Sequence, residues 1–236
     1  MIVHRAGGLL APENTQAAFD VAVNLGCSAV ETDVMMTLDG HLILSHDEEL
    51  GRAVAAQGNV AQMTKDELLK FDAGIRFGRQ WKGQKMMTFE ESLVFCHAHN
   101  LFMNIEIKPA RGFAAQTARA VARVLNEFGS RSHWISSLSL EALQAFRAAD
   151  PKTPCGWLLE EIPEKWLQTA RELGVRTVHP DHAYVTADFV RQAHDAGLGV
   201  MVYTVDDVDR ARELLAMGVD AICTNRPDLL ACVIER

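Results

Sequence analysis

Short apolar runs alternate with helical segments along nearly the whole chain, and few folds accommodate that rhythm. The strand-like runs cover residues 2–4, 29–35, 42–45, 101–108, 134–137, 155–159, 176–179, 199–205 and 221–224. Helical segments follow most of them. Asn14 or Thr15 can cap the first helix, Phe19, Ala22 and Val23 give it one apolar face, and Gly26 can end it. Near the other end, Asp206 can cap a helix whose Val208, Ala211 and Leu215 share a face and which Gly218 closes. Strands and helices in alternation imply a parallel sheet with helices outside it. About eight such units in 236 residues, with no GxGxxG after the first strand, favour a (β/α)8 barrel of the TIM type over a doubly wound sheet.

One stretch breaks the rhythm. Residues 47–87 hold a polar, glycine-bearing segment, a short helix around residues 66–70, and Trp81-Lys82-Gly83. This reads as a small insertion after the second strand, on a βα loop at the C-terminal mouth of the barrel, where active sites of this architecture lie. No repeat, low-complexity tract or linker marks a second unit, so residues 1–236 read as one catalytic domain.

The formal net charge of -8 excludes a non-specific binder of nucleic acid or anionic membrane, because there is no excess of cations to offer phosphates. Attraction for an anionic substrate must then be local: a metal, or a few placed Arg and Lys. The five cysteines, Cys27, Cys96, Cys155, Cys223 and Cys232, form no CxxC pair and read as reduced thiols. Neither a basic leader nor a long apolar stretch is visible, so a cytoplasmic protein without a membrane anchor is expected.

Charge inside strands points to the chemistry. In Ala29-Val30-Glu31-Thr32-Asp33-Val34, a period of two puts Glu31 and Asp33 on one face and Val30, Thr32 and Val34 on the other. Asn104, Glu106 and Lys108 share a face in the same way, with Ile105 and Ile107 opposite. Carboxylates aimed together into a barrel mouth are destabilised by desolvation and mutual repulsion. A divalent cation relieves both, and an all-oxygen set suits magnesium, calcium or manganese better than zinc. The alternative is that Arg5 and Lys108 neutralise the acids as buried ion pairs.

Two of the nine histidines stand at strand ends: His4, followed by Arg5, and His46, followed by Asp47. An imidazole pair flanking a phosphate can serve as base and acid near neutral pH. His97 and His99 lie on a helix and lack that placement. The segment His179-Pro180-Asp181-His182 can line the mouth or form a structural turn, and Trp81, Trp134, Trp157 and Trp166 read as packing.

His4-Arg5, then Pro12-Glu13-Asn14-Thr15, Glu31-Thr32-Asp33, the run from His46-Asp47 to Gly51-Arg52, and Glu106-Ile107-Lys108 occur in fixed order, followed by Val202-Tyr203-Thr204-Val205 and Gly218-Val219-Asp220-Ala221-Ile222. In that order and spacing the chain resembles the glycerophosphodiester phosphodiesterase family, in particular its short cytosolic bacterial members. The resemblance implies a TIM barrel with a small insertion. It implies one divalent metal ion (magnesium or calcium, with manganese as a further candidate) on Glu31, Asp33 and Glu106, and His4 and His46 as the acid/base pair. Arg5 and Lys108 would hold phosphate oxygens, and Tyr203 would line the substrate site.

The chain departs from the family pattern at a few places. Ala6 stands where Gly is usual, Met87 for Pro, Leu138 for Phe, Tyr203 for Trp and Asn225 for Asp. The implied reaction releases glycerol 3-phosphate and an alcohol, such as choline or ethanolamine, from a small glycerophosphodiester. Two other outcomes are carried forward: phospholipase-type cleavage of lysophospholipids, which needs an apolar entrance, and a barrel that binds phosphate without turnover.

Overall fold

The computed structural model describes residues 1–129 and 133–234. Its strands are β1 (Ile2–Val3), β2 (Ala29–Met36), β3 (Leu42–Leu44), β4 (Phe102–Ile107), β5 (His133–Ser137), β6 (Cys155–Leu159), β7 (Thr177–Pro180), β8 (Gly199–Val202) and β9 (Ala221–Thr224). The helices are α1 (Gln16–Asn24), α2 (Lys65–Leu68), α3 (Phe89–Ala98), α4 (Ala114–Phe128), α5 (Leu140–Ala149), α6 (Trp166–Leu173), α7 (Ala187–Asp195), α8 (Val208–Ala216) and α9 (Pro227–Leu230). All strands except β3 are parallel, and β1 pairs with both β2 and β9, so eight strands close into a (β/α)8 barrel.

Side-chain alternation sorts the strands into two cores. Outward residues such as Val30, Val34, Ile105, Val178 and Ile222 meet Phe19, Val121 and Phe146 of the helices in the main cluster. Inward residues Ile2, Ala29, Met201 and Cys223 form a separate cluster bordered by Phe102, Trp134 and Tyr203, which fills the barrel beneath the mouth. His179 belongs to this interior rather than to a mouth loop or a turn. It is fully buried in β7, and burial lowers its pKa to about 3. Gly156 on the neighbouring strand makes the space, because a Cβ there would lie 2.3 Å from His179 Nε2.

Two expected helix caps are used differently. Thr15 occupies the cap position of α1, but its hydroxyl donates to the Pro12 carbonyl, and the Asn14 amide reaches away to Asp33. Asp207, not Asp206, caps α8 by accepting from the Arg210 N–H. For Asn14 and Asp206 a longer-range polar partner recruits the side chain that local pattern assigned to a cap, whereas Thr15 bonds locally to Pro12.

The strand β3 is antiparallel to β2 and determines the shape of the mouth. On one edge of β2, β4 runs alongside from Ala29 to Val34. On the other edge β1 pairs at Val30, and from Val34 onward β3 takes over that edge, with Val34 opposite Leu44. The chain in β3 therefore descends toward the barrel and ends beside the mouth. The insertion is fastened to this hairpin: Val54, Val60, Leu68, Ala73 and Met86 pack with Met35 and Ile43 in a cluster of their own. Its short helix α2 starts with a capping box, in which Thr64 and Glu67 satisfy each other's backbone N–H groups.

Candidate active site

Glu31, Asp33 and Glu106 meet at the mouth, each offering a carboxylate oxygen within 4.8 Å of the others. Strand register brings them together, because Asp33 pairs with Glu106 while Glu31 pairs with Asn104, all on the inward face. Glu31 is 4% exposed and Asp33 1%. Burial, then repulsion from Asp33 and Glu106, raises the Glu31 pKa well above the usual carboxylate range. Burial, then Asp33, pushes Glu106 up to about 7, against the pull of Lys108.

Cations do approach these acids. The Arg5 backbone N–H donates to Glu31 Oε2 at 2.8 Å, Arg5 Nε lies 3.7 Å from Asp33 Oδ2, and Lys108 Nζ lies 3.5 Å from Glu106 Oε1. They do not satisfy the cluster, because Glu31 Oε1 is buried without a hydrogen-bond partner. The Arg5 guanidinium is also shared with Glu13, at 3.0 and 3.1 Å. Three converging carboxylates, one of them with an unpartnered oxygen, fit a hard divalent cation.

Both strand-end histidines stand near this cluster, His4 after β1 and His46 after β3, the two strands that share one edge of β2. His46 Nδ1 lies 2.7 Å from Asp47 Oδ1, and its Nε2 lies 2.8 Å from Lys108 Nζ. An acceptor at Nδ1 and a donor at Nε2 favour the tautomer with the proton on Nδ1. His4 Nδ1 lies 2.7 Å from Asn225 Oδ1, and its Nε2 points to Glu31 Oε2 at 3.9 Å. The Asn225 amide cannot turn over freely, since its Nδ2 donates to Asp206 Oδ2 at 3.0 Å and its backbone N–H to Asp206 Oδ1 at 2.7 Å. His4 thus donates from Nδ1 and keeps a lone pair on Nε2. Burial is the largest cause lowering the pKa of both rings; the Arg5 charge adds to it, and at His46 the Asp33 carboxylate opposes it.

Sequence reasoning gave no role to a second set of residues. Glu13 accepts from Arg5 and from both terminal nitrogens of Arg52, whose Nε donates to Asp47 at 2.6 Å. Although burial opposes it, hydrogen bonds from Arg52 hold both Glu13 and Asp47 below their ordinary pKa. Asn14 donates to Asp33 Oδ2 at 3.0 Å. The signal for Glu13, Asn14, Asp47 and Arg52 was present in the short motifs they share with His4 and His46. Backbone geometry gives another: Arg5, Ala6 and Asn14 all have positive φ, at 50°, 65° and 57°. That is the region glycine tolerates best, so Ala6 holds a backbone conformation that a side chain makes costly.

Tyr203 sits half-buried near Glu106, and its hydroxyl donates to the Leu159 carbonyl at 3.2 Å, so its ring rather than its hydroxyl faces the interior. A cavity of about 360 Å³ opens beside His4, Arg5 and Asn225, walled by Arg52, Phe77 and Leu9. His97 and His99 stay outside the site, with His99 stacked on Phe95.

The family model for the glycerophosphoryl diester phosphodiesterase family matches residues 4–229. The glycerophosphodiester phosphodiesterase of Caldanaerobacter subterraneus is 29% identical over 100% of this chain and 98% of its own. That of Bacillus altitudinis is 30% identical over 92% of this chain and 90% of its own. Among solved structures, a phosphodiesterase of Oleispira antarctica in complex with the product sn-glycerol-3-phosphate superposes with a TM-score of 0.96 at 27% identity, covering 100% and 96% of the two chains. The glycerophosphodiester phosphodiesterase of Agrobacterium tumefaciens gives 0.85 at 28% identity, covering 98% of each. With its barrel, its carboxylate cluster and a match spanning nearly every residue, the chain belongs to the glycerophosphoryl diester phosphodiesterase family, a family of phosphodiester hydrolases.

Proposed function

We propose that the enzyme hydrolyses small glycerophosphodiesters, such as glycerophosphocholine or glycerophosphoethanolamine, to glycerol 3-phosphate and an alcohol. The observation that carries this reading is the pair of histidines near the carboxylate cluster, each held at Nδ1 by a side-chain oxygen. Glu31, Asp33 and Glu106 would hold one divalent ion, magnesium or calcium, with manganese as a third candidate. When bound, the ion would polarise phosphorus and offset charge on the phosphate.

The remaining work falls to the chain's own groups. Arg5 and Lys108 would hold the other phosphate oxygens and neutralise charge that grows in the transition state. One histidine takes a proton on Nε2 from the nucleophile, either water or the glycerol 2-hydroxyl. The other must enter the cycle as the imidazolium, having taken a proton on Nε2 from solvent, and it delivers that proton to the departing alcohol oxygen, while the first releases its proton to solvent. Asp47 and Asn225 accept from the Nδ1–H groups and keep both rings in the required tautomer. Tyr203 would bound the site with its ring. A cytoplasmic setting belongs to the same reading, supported by five cysteines that form no disulfide among the described residues. None of the described helices is long and apolar enough to cross a membrane.

A second reading, cleavage of lysophospholipids, has one specific observation in its favour. Leu9 and Phe77, 60% and 41% exposed, stand on the wall of the cavity and offer apolar surface to an acyl chain. The deciding assay measures glycerol 3-phosphate released from glycerophosphocholine, with magnesium, with calcium and with chelator. Metal-dependent release is expected. Faster turnover of lysophosphatidylcholine would favour the second reading, and no turnover of any diester would leave a phosphate-binding barrel.

A further inference from the structure

The end of the barrel opposite the active site carries a charge arrangement that hydrolysis does not use. Three successive loops, 150–154 before β6, 174–176 before β7 and 196–198 before β8, enclose a cavity of about 320 Å³. Arg147, Lys152, Arg171 and Arg176 line it, and no Asp or Glu does. In a chain with 31 acidic and 23 basic residues, four cations converging without a carboxylate run against the overall charge.

The ordinary explanations cover only part of this. Arg147 and Arg171 sit in the last turns of α5 and α6, where a cation complements the helix C-terminus. Lys152 and Arg176 lie outside helices and lack that compensation. Among the described residues, the ion pairs formed by Arg and Lys side chains involve other members: Arg5, Arg52, Lys108, Arg191, Arg210, Arg212 and Arg226. Asp150 accepts from the Lys152 and Thr153 N–H groups and from the Thr153 hydroxyl, and Glu172 from Gln168.

The cavity is also kept open. The Arg147 guanidinium crosses from α5 to the loop before β7 and lies over Gly174, where a Cβ would stand 3.1 Å from Nη2. Gly174 has φ +62°, so the loop turns tightly there without a side chain to fill the space. Arg176 is fixed between neighbouring strands by its N–H to the Cys155 carbonyl and its carbonyl to the Gly199 N–H.

We propose that this cavity is a second anion site, remote from the catalytic centre, which takes a small ligand carrying a phosphate or diphosphate group. Guanidinium forks match phosphate oxygens in pairs, and several of them around one pocket suit a multiply charged anion better than a single carboxylate. The site is independent of the reading of the catalytic centre.

The test is a titration of the metal-free protein with pyrophosphate and with inorganic phosphate, followed by backbone amide NMR at matched ionic strength against chloride. Saturable shifts are expected at residues 152–153, 174–176 and 197–198, separable from any at the catalytic mouth, with pyrophosphate binding tighter than phosphate. The double substitution Arg171→Ala with Arg176→Ala, at two exposed positions, should weaken binding at these amides at least tenfold and leave diester hydrolysis unchanged. Shifts that chloride reproduces, or that survive the double substitution, would overturn the proposal.

Discussion

His4 and Asn225 meet where the barrel closes, with Nδ1 of the ring 2.7 Å from Oδ1 of the amide, and Asp206 holds the amide from behind. The three side chains form one line, Asp206 to Asn225 to His4, ending at the Nε2 that faces the carboxylate cluster. Asn225→Ala should lower kcat roughly tenfold, the kinetic equivalent of one hydrogen bond, with little change in KM. Asp206→Ala should have a similar effect, and the double variant should be no worse than either single one. Additive losses would show that Asp206 acts through some other contact.

Removal of one oxygen ligand should be more damaging. Glu31→Gln, Asp33→Asn and Glu106→Gln should each abolish most activity, and chelator should do the same to the unaltered enzyme until a divalent ion is restored. Because Glu31 and Glu106 repel each other across a buried site, the Gln variants should be no less stable than the parent in the absence of metal. Full activity after exhaustive chelation would remove the metal from the mechanism.

The histidines should behave as a pair. His4→Ala and His46→Ala are each expected to reduce kcat by roughly 10²–10⁴-fold while circular dichroism stays unchanged. With a leaving group of low pKa, whichever variant lacks the acid should recover more activity. A variant with near-native kcat on an unactivated diester would lose its assignment.

Substrate preference follows from charges gathered around a single phosphate. Glycerophosphocholine and glycerophosphoethanolamine should be cleaved at comparable rates and faster than bis(p-nitrophenyl) phosphate under the same metal. A 2-deoxyglycerol analogue should be nearly inert if the 2-hydroxyl attacks, and only slowed if water does. Preference for the nitrophenyl diester would mean that the glycerol half is not read.

His179 supplies a pH signature unrelated to catalysis. Its folded pKa is depressed by burial to about 3, whereas an unfolded histidine titrates near 6.5. Below pH 6.5 the unfolded chain binds a proton that the folded one refuses, so stability is complete above 6.5 and falls as pH drops toward 3. Each pH unit in that window costs about 1.4 kcal/mol. The drop in melting temperature from pH 7.5 to 5 should therefore be smaller for His179→Gln than for the parent. Equal slopes would show that the imidazole is hydrated or paired when charged.

The carboxylate cluster was legible because a period of two is a local property: Glu31, Asp33 and Glu106 could point only one way once Val30, Val34, Ile105 and Ile107 faced the helices. Lys108 followed from standing at the end of the strand that carries Glu106, and His4 from standing at the end of the first strand. The direction of β3 was not legible, since nothing in three apolar residues says whether they run up or down beside β2. Asp206 read as a helix cap because a cap and a tertiary hydrogen bond ask for the same side chain. Its partner Asn225 is 19 residues on, and His4 is 221 residues from Asn225. His179 was ambiguous for a similar reason, because the space it fills is left by Gly156 on another strand.

The descent of β3 along the edge of β2 makes the hairpin between them a ruler for His46. Residues paired across that ladder move together, so shortening both arms equally at the tip would leave the imidazole where it stands. Deleting a single residue from one arm would turn it to the opposite side of the sheet, because side chains alternate with a period of two. The ladder from Val34–Leu44 to Met36–Leu42 thus fixes His46, while the insertion beyond Arg52 can drift in sequence as long as it still packs on Met35 and Ile43. Parity of the hairpin, rather than its composition, is what ties the insertion to the chemistry.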